Sequence, residues 1–150
     1  MILNQINAAT LWKLKGGKHM ATIIKQKDRK LDAVYEPPLV VGFGIDSTTV
    51  KNPGMVMGYT TGQAGGRNQR HYHINTAAGI YVVKGRIQMF LGPDHEKKEV
   101  ILEEGDFVYI PKGEIHGGPN LTDTAVVFCY PDVSNKEEAG TVYMEPPHKE

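Results

Sequence analysis

Beyond residue 20, short apolar runs alternate with polar or turn-forming breaks at intervals of about ten residues. The runs lie at 39–45, 56–60, 70–73, 79–83, 86–91, 99–102, 106–110 and 124–130, and Val, Ile, Tyr and Phe dominate them. Runs this short and this rich in branched and aromatic residues predict β-strands. The breaks are built from 17 Gly and 9 Pro, and that spacing is the rhythm of an all-β sandwich or barrel. Pro93-Asp94 opens a loop, and Glu104-Gly105-Asp106 reads as a tight turn. Gly85, between Lys84 and Arg86, predicts a hairpin that needs positive φ, and Gly105 predicts the same before the next strand. Helical periodicity is absent apart from one turn at 135–139, with Ser134 or Asn135 as its cap.

A chain of 150 residues makes one domain with one core. Two readings stand for residues 1–20. Lys15-Gly16-Gly17-Lys18-His19-Met20 resembles a linker ending in the His-Met pair of a cloning site, which makes 1–20 a leader and 21–150 the domain. Alternatively the segment is an N-terminal arm with a short helix around 7–12. His19 is left out of site reasoning on either reading.

Lys+Arg and Asp+Glu both number 17, so the formal net charge is zero. That balance argues against a general nucleic-acid or membrane-surface protein, which carries a basic excess. No run approaches the ~20 apolar residues of a membrane-spanning helix. The single cysteine, Cys129, lies in the apolar run 125–130 and is expected to pack in the core. A chain without a disulfide framework fits a reducing compartment, so a cytoplasmic location is expected.

The chemistry gathers at histidines. His71 and His73 are two apart, so on a strand both point to one face while Tyr72 points to the other. His116 follows 43 residues after His73, behind Gly105, Pro111 and Gly113, a turn expected to deliver it from the other sheet. One such histidine alone is more simply a hydrogen-bonded core residue. Three brought together inside a barrel can hold one transition-metal ion, because imidazole suits Zn, Cu, Fe and Ni. His95 sits among Glu96, Lys97 and Lys98 and should be solvated; neither it nor His148 in the proline-rich tail is a ligand candidate.

These residues resemble a family. Gly65-x5-His71-x-His73, running on to Gly85, is similar to the first motif of the cupins. Gly105, Pro111, Gly113, His116 and Asn120 match every fixed position of the second, G-x5-P-x-G-x2-H-x3-N. The resemblance covers about 60–125 and implies a double-stranded β-helix, or jelly-roll, barrel of two antiparallel sheets. It also implies that His71, His73 and His116 bind one divalent ion. The chain departs from the family at one ligand: the glutamate expected at 78 is Ala78, with Thr76, Ala77 and Gly79 around it. The implied site is therefore three histidines without a carboxylate. Such a site keeps the full charge of the ion and favours anionic or chelating substrates.

The resemblance implies a small metalloenzyme related to three-histidine iron dioxygenases, acting on a small organic substrate. Iron is expected for that chemistry, while Zn, Ni, Mn or Cu would also suit the ligands. The alternatives are a non-redox isomerase, epimerase or lyase acting on a sugar or acid, and a non-catalytic binding or sensing protein, since fold does not dictate function. Gln69, Tyr81 and Gln88, with Arg70, are expected to line the mouth or support the ligands. Each could equally be an ordinary strand residue. Asn120 is expected to bond nearby backbone in its turn. A homodimer is expected, because exposed sheet edges need covering and the strands after Met20 could exchange.

Overall fold

The computed structural model describes residues 21–146. The leader reading, the alternative arm and His148 therefore lie outside the described residues. Eleven strands follow in chain order: β1 (Lys30–Asp32), β2 (Val40–Ile45), β3 (Met55–Gly62), β4 (Arg67–His73), β5 (Ala78–Lys84), β6 (Ile87–Leu91), β7 (Lys98–Leu102), β8 (Phe107–Ile110), β9 (His116–Pro119), β10 (Thr124–Pro131) and β11 (Thr141–Tyr143). All eight predicted strands are present, with small shifts at their ends. The three that escaped prediction, β1, β9 and β11, are three or four residues long. The segment expected to form one helical turn at 135–139 is a hydrogen-bonded turn rather than a helix. Asn135 does cap it, its side-chain oxygen accepting the Glu138 N–H at 2.8 Å.

The strands form two antiparallel sheets, ordered β1-β2-β3-β10-β5-β8 and β11-β4-β9-β6-β7. Their pairing has a simple generator. β6 pairs with β7, β5 with β8, β4 with β9 and β3 with β10. Every one of these rungs is centred on the loop at Pro93–Asp94, so the chain is a long two-stranded ribbon folded back at that loop. Coiling the ribbon drops successive rungs into alternate sheets, giving the all-β jelly-roll barrel that the strand pattern predicts.

Coiling also changes what the glycines do. Gly85 has φ +88° and Gly105 has φ +95°, as their turn positions require. Neither closes a hairpin between paired strands, however. β5 and β6 lie in different sheets, as do β7 and β8, so both glycines turn the chain from one sheet to the other. At Gly85 an added Cβ would also meet the Asp123 carbonyl oxygen at 2.2 Å.

The inner faces of both sheets meet in one apolar core, with Val41, Phe43, Val56, Val82, Ile110 and Phe128 at its centre. Phe43 and Phe128 pack edge to face, their ring centroids 5.9 Å apart. Cys129 departs from expectation: its neighbours Phe128 and Tyr130 point inward, and alternation along β10 leaves the thiol half-buried on the outer face. Burial there raises the pKa of the thiol, which argues against a nucleophile. No helix among the described residues is long and apolar enough to cross a membrane.

Candidate metal centre

The β4–β9 rung brings the three histidines together. His71 and His73 share the inner face of β4, and His71 stands directly opposite His116 on β9. His116 thus comes from the neighbouring strand of the same sheet, not from the facing sheet. All three are buried, at 1, 3 and 2 % exposure. Their ring centroids are 4.9 Å (71–73), 4.2 Å (71–116) and 5.4 Å (73–116) apart. One nitrogen from each lies within 4.8 Å of the others, so the trio could hold a metal ion.

Hydrogen bonding fits that role. His71 Nδ1 donates to the Gln69 carbonyl at 2.6 Å, and His116 Nδ1 donates to the Glu114 carbonyl at 2.9 Å. Carbonyls only accept, so both rings carry their proton on Nδ1 and present a bare Nε2. His73 Nδ1 meets the Thr141 hydroxyl at 3.0 Å, and its buried Nε2 has no partner. An orphaned nitrogen in a dry interior is costly unless something binds it. Outer partners of this kind fix ring orientation at metal sites. Burial lowers the pKa of His71 to about 4 and those of His73 and His116 to about 3, with repulsion from neighbouring rings adding to the latter two. All three are neutral at pH 7, the form that ligates.

His71 and His116 border a partly enclosed cavity of about 70 Å³ between the sheets, lined mostly by aliphatic and aromatic side chains. Ala78, 2 % exposed at the start of β5, faces this cavity, as counting back from Gly85 implied. The other expectations fare differently. Gln69 is buried, but its amide donates to the Glu145 carbonyl at 3.3 Å. Tyr81 points out of the barrel and stacks on Phe107, centroids 4.6 Å apart. Gln88 also points outward, where its amide bonds Glu99. Arg70 is on the outer face of β4, tied to Asp94 and to the Gly92 carbonyl. Tyr81, Gln88 and Arg70 are thus corrected to positions outside the cavity. Asn120 is buried and does bond backbone, though far along the chain: its amide donates to the Gln63 carbonyl at 3.3 Å.

Sequence reasoning missed a carboxylate. Glu36 is 6 % exposed, lines the cavity, and places Oε1 3.3 Å from His71 Nδ1. That oxygen makes no hydrogen bond, since the Nδ1 proton is already given to Gln69. Burial raises the pKa of its carboxyl to about 8. The only cue in the sequence was a lone acid before Pro37-Pro38, which reads as surface. Thr141 was missed too, because β11 is too short to recognise. Its hydroxyl joins His73 to the Tyr35 hydroxyl, 3.1 Å away.

These shifts predict how the metal-free protein responds to pH. The histidines are protonated below about 6.5 when unfolded, but only near 4 and 3 when folded. Their contribution is complete above pH 6.5 and is lost as pH falls through the folded values. Glu36 is the reverse: raised from 4.5 to about 8, it contributes fully below 4.5 and its contribution is lost as pH rises through 8. The four groups together place maximum stability near pH 6.5. Between pH 6.5 and 8, Glu36 should cost the fold roughly 1–2 kcal/mol, while the three histidines, half-protonated at pH 6.5 in the unfolded chain, return about 1 kcal/mol. Thermal unfolding should show Glu36→Gln melting higher at pH 8 than at 6.5, with no such rise in the wild type. A wild type that rises over that range as much as the variant would contradict the assignment.

Residues 58–130 match the family model described as Cupin domain. A 59-residue stretch is 36% identical to an uncharacterized protein of Aquifex aeolicus (strain VF5), covering 39% of this chain and 46% of that protein. Among solved structures, oxalate decarboxylase from Bacillus subtilis superposes with a TM-score of 0.70 at 15% identity, over 85% of this chain and 33% of that one. The polyketide cyclase RemF from Streptomyces resistomycificus gives 0.66 at 20% identity, over 85% of this chain and 87% of that one. The match thus spans less than half of the Aquifex protein and a third of the decarboxylase. At these identities the solved structures speak for the fold alone. The family match takes in both strands that carry the histidines, and the coiled ribbon is shared with the solved structures: over residues 58–130 this chain is similar to the cupin domain, and its fold is the cupin barrel.

Proposed function

We propose that this chain is a small metalloenzyme in which His71, His73 and His116 hold one divalent transition-metal ion beside a partly enclosed, mostly apolar cavity that admits a small organic substrate. One observation carries the reading: three buried imidazoles converge with each Nδ1 engaged, and the Nε2 of His73 is left without a partner. An ion held there would supply Lewis acidity and, if it is iron, a place for substrate and dioxygen to meet. The chain's own contribution is to exclude water, hold the imidazoles neutral and position the substrate. With no carboxylate among the ligands, an oxygen-dependent, dioxygenase-like reaction on a chelating substrate is the first reading.

Glu36 supports a second. A buried carboxyl beside the histidines can give or take a proton within the cavity, which suits a non-redox isomerase, epimerase or lyase. The similar solved structures are named for decarboxylation and cyclisation, so resemblance does not choose between the readings. Anaerobic purification followed by elemental analysis and oxygen-electrode assays on small organic acids and diketones separates them. We expect about one ion per chain, the stoichiometry of a single closed site, with iron and substrate-dependent oxygen uptake for the first reading. Zinc or nickel without uptake would favour the second. Protein that takes up no divalent metal would exclude both and leave a non-catalytic binding role.

A further inference from the structure

Two residues of the cavity wall hold a side-chain oxygen without a hydrogen-bond partner in the protein. Glu36 Oε1 and Asn68 Oδ1 are both buried without a hydrogen-bond partner, and both residues line the cavity alongside His71 and His116. A buried acceptor left empty costs free energy in any fold, so an unpaired one calls for a partner, and a ligand in the cavity can be that partner. The rest of the wall is largely apolar, and it includes no lysine or arginine. A substrate with several anionic groups would therefore find no cationic side chain to meet it. A substrate offering an O–H would satisfy the orphaned acceptors.

Size narrows the class. A cavity of about 70 Å³ corresponds to only two or three waters at roughly 30 Å³ each, which restricts it to a ligand of a few non-hydrogen atoms. Resting on the metal-site reading above, we propose that the cavity selects a small chelating compound carrying a hydroxyl group, such as a short 2-hydroxy acid, with the unpaired oxygen of Glu36 or of Asn68 accepting the hydroxyl's single proton. This sharpens the expectation of an anionic or chelating substrate: chelation stays, and a hydrogen-bond donor is added to it.

Lactate and pyruvate test the proposal. They share a frame and both can chelate, but only lactate has the O–H donor. Each lactate enantiomer and pyruvate would be titrated calorimetrically into zinc-loaded protein, with zinc content measured in parallel. One enantiomer of lactate should bind wild type at least about tenfold more tightly than pyruvate, because a site built for a hydroxyl rejects the analogue lacking it. At least one of Glu36→Met and Asn68→Leu, the one that removes the accepting oxygen, should bring that ratio towards one with zinc retained. Glu36→Met should also raise the melting temperature by removing an unpaired buried group. Equal binding of the two ligands to wild type, no binding of either, or a ratio that survives in both variants would overturn the proposal. If a variant fails to fold, the wild-type comparison still decides. Wild type that takes up no zinc refutes the metal-site reading itself, whereas zinc uptake without discrimination refutes only the hydroxyl selectivity.

Discussion

Alanine at position 116 abolishes tight divalent-metal binding in a titration of the metal-free protein. The expectation follows from the rung that sets His116 opposite His71, with ring centroids 4.2 Å apart. Removing it leaves two imidazoles, which hold a divalent ion poorly. The affinity should fall beyond the ~10–100-fold typical when only an outer-shell partner is lost. His71→Ala and His73→Ala should behave alike, since all three contribute to one cluster. The opposite change is expected at position 78. Ala78 faces the cavity, so Ala78→Glu would supply a carboxylate able to offset one unit of the ion's charge and should tighten binding. If His116→Ala binds as tightly as wild type, the three-histidine site is wrong. If Ala78→Glu changes nothing, position 78 does not stand at the place of the family's carboxylate, although the fold would be untouched.

Gly118→Ala should be the most destabilising single methyl addition on the strand that carries His116. β9 is His116-Gly117-Gly118-Pro119, pressed between β4 and β6. A Cβ at Gly118 would lie 2.0 Å from the Gln88 carbonyl oxygen, and one at Gly117 would lie 2.7 Å from that of Gln69. Both obstacles are backbone, so no side chain can swing away. Gly117 also has φ +141°, a conformation that L side chains rarely adopt. Overpacking of this severity should cost Gly118→Ala about 3 kcal/mol. In a domain of this size that lowers the melting temperature by roughly 6–12 °C. Metal affinity should fall with it, because the same displacement pushes β9 away from β4. A variant that melts within a degree or two of wild type would show that β9 is free to shift. It is Gln88's backbone, rather than its outward-facing amide, that bears on the site.

Face and register explain why some residues were legible and others were not. The period of two along β4 placed His71 and His73 together without any knowledge of the partner strands. The same alternation could have excluded Gln88, since its neighbours Ile87 and Met89 are the buried pair on β6. Tyr81 was harder to judge, because Ile80, Tyr81 and Val82 are all apolar and only packing decides which of them faces in. His-Gly-Gly-Pro has almost no intrinsic strand preference. It is extended because β4 and β6 both pair with it.

By itself the sequence determined the strand-and-turn rhythm, the positive-φ glycines at 85 and 105, the shared face of His71 and His73, and the lack of a carboxylate at 78. These are local properties, written in side-chain alternation and in the conformations that glycine alone allows readily. Tertiary structure decided the rest. It put His116 in the same sheet as its partners, because a ribbon folded at Pro93–Asp94 pairs residues whose separation in sequence says nothing about their nearness. It buried Glu36 and Asn68 with oxygens unpaired, and it set Thr141 beside His73 through a three-residue strand. Which groups a cavity collects depends on distant segments closing over one another, and no local pattern of hydrophobic and polar residues encodes that closure.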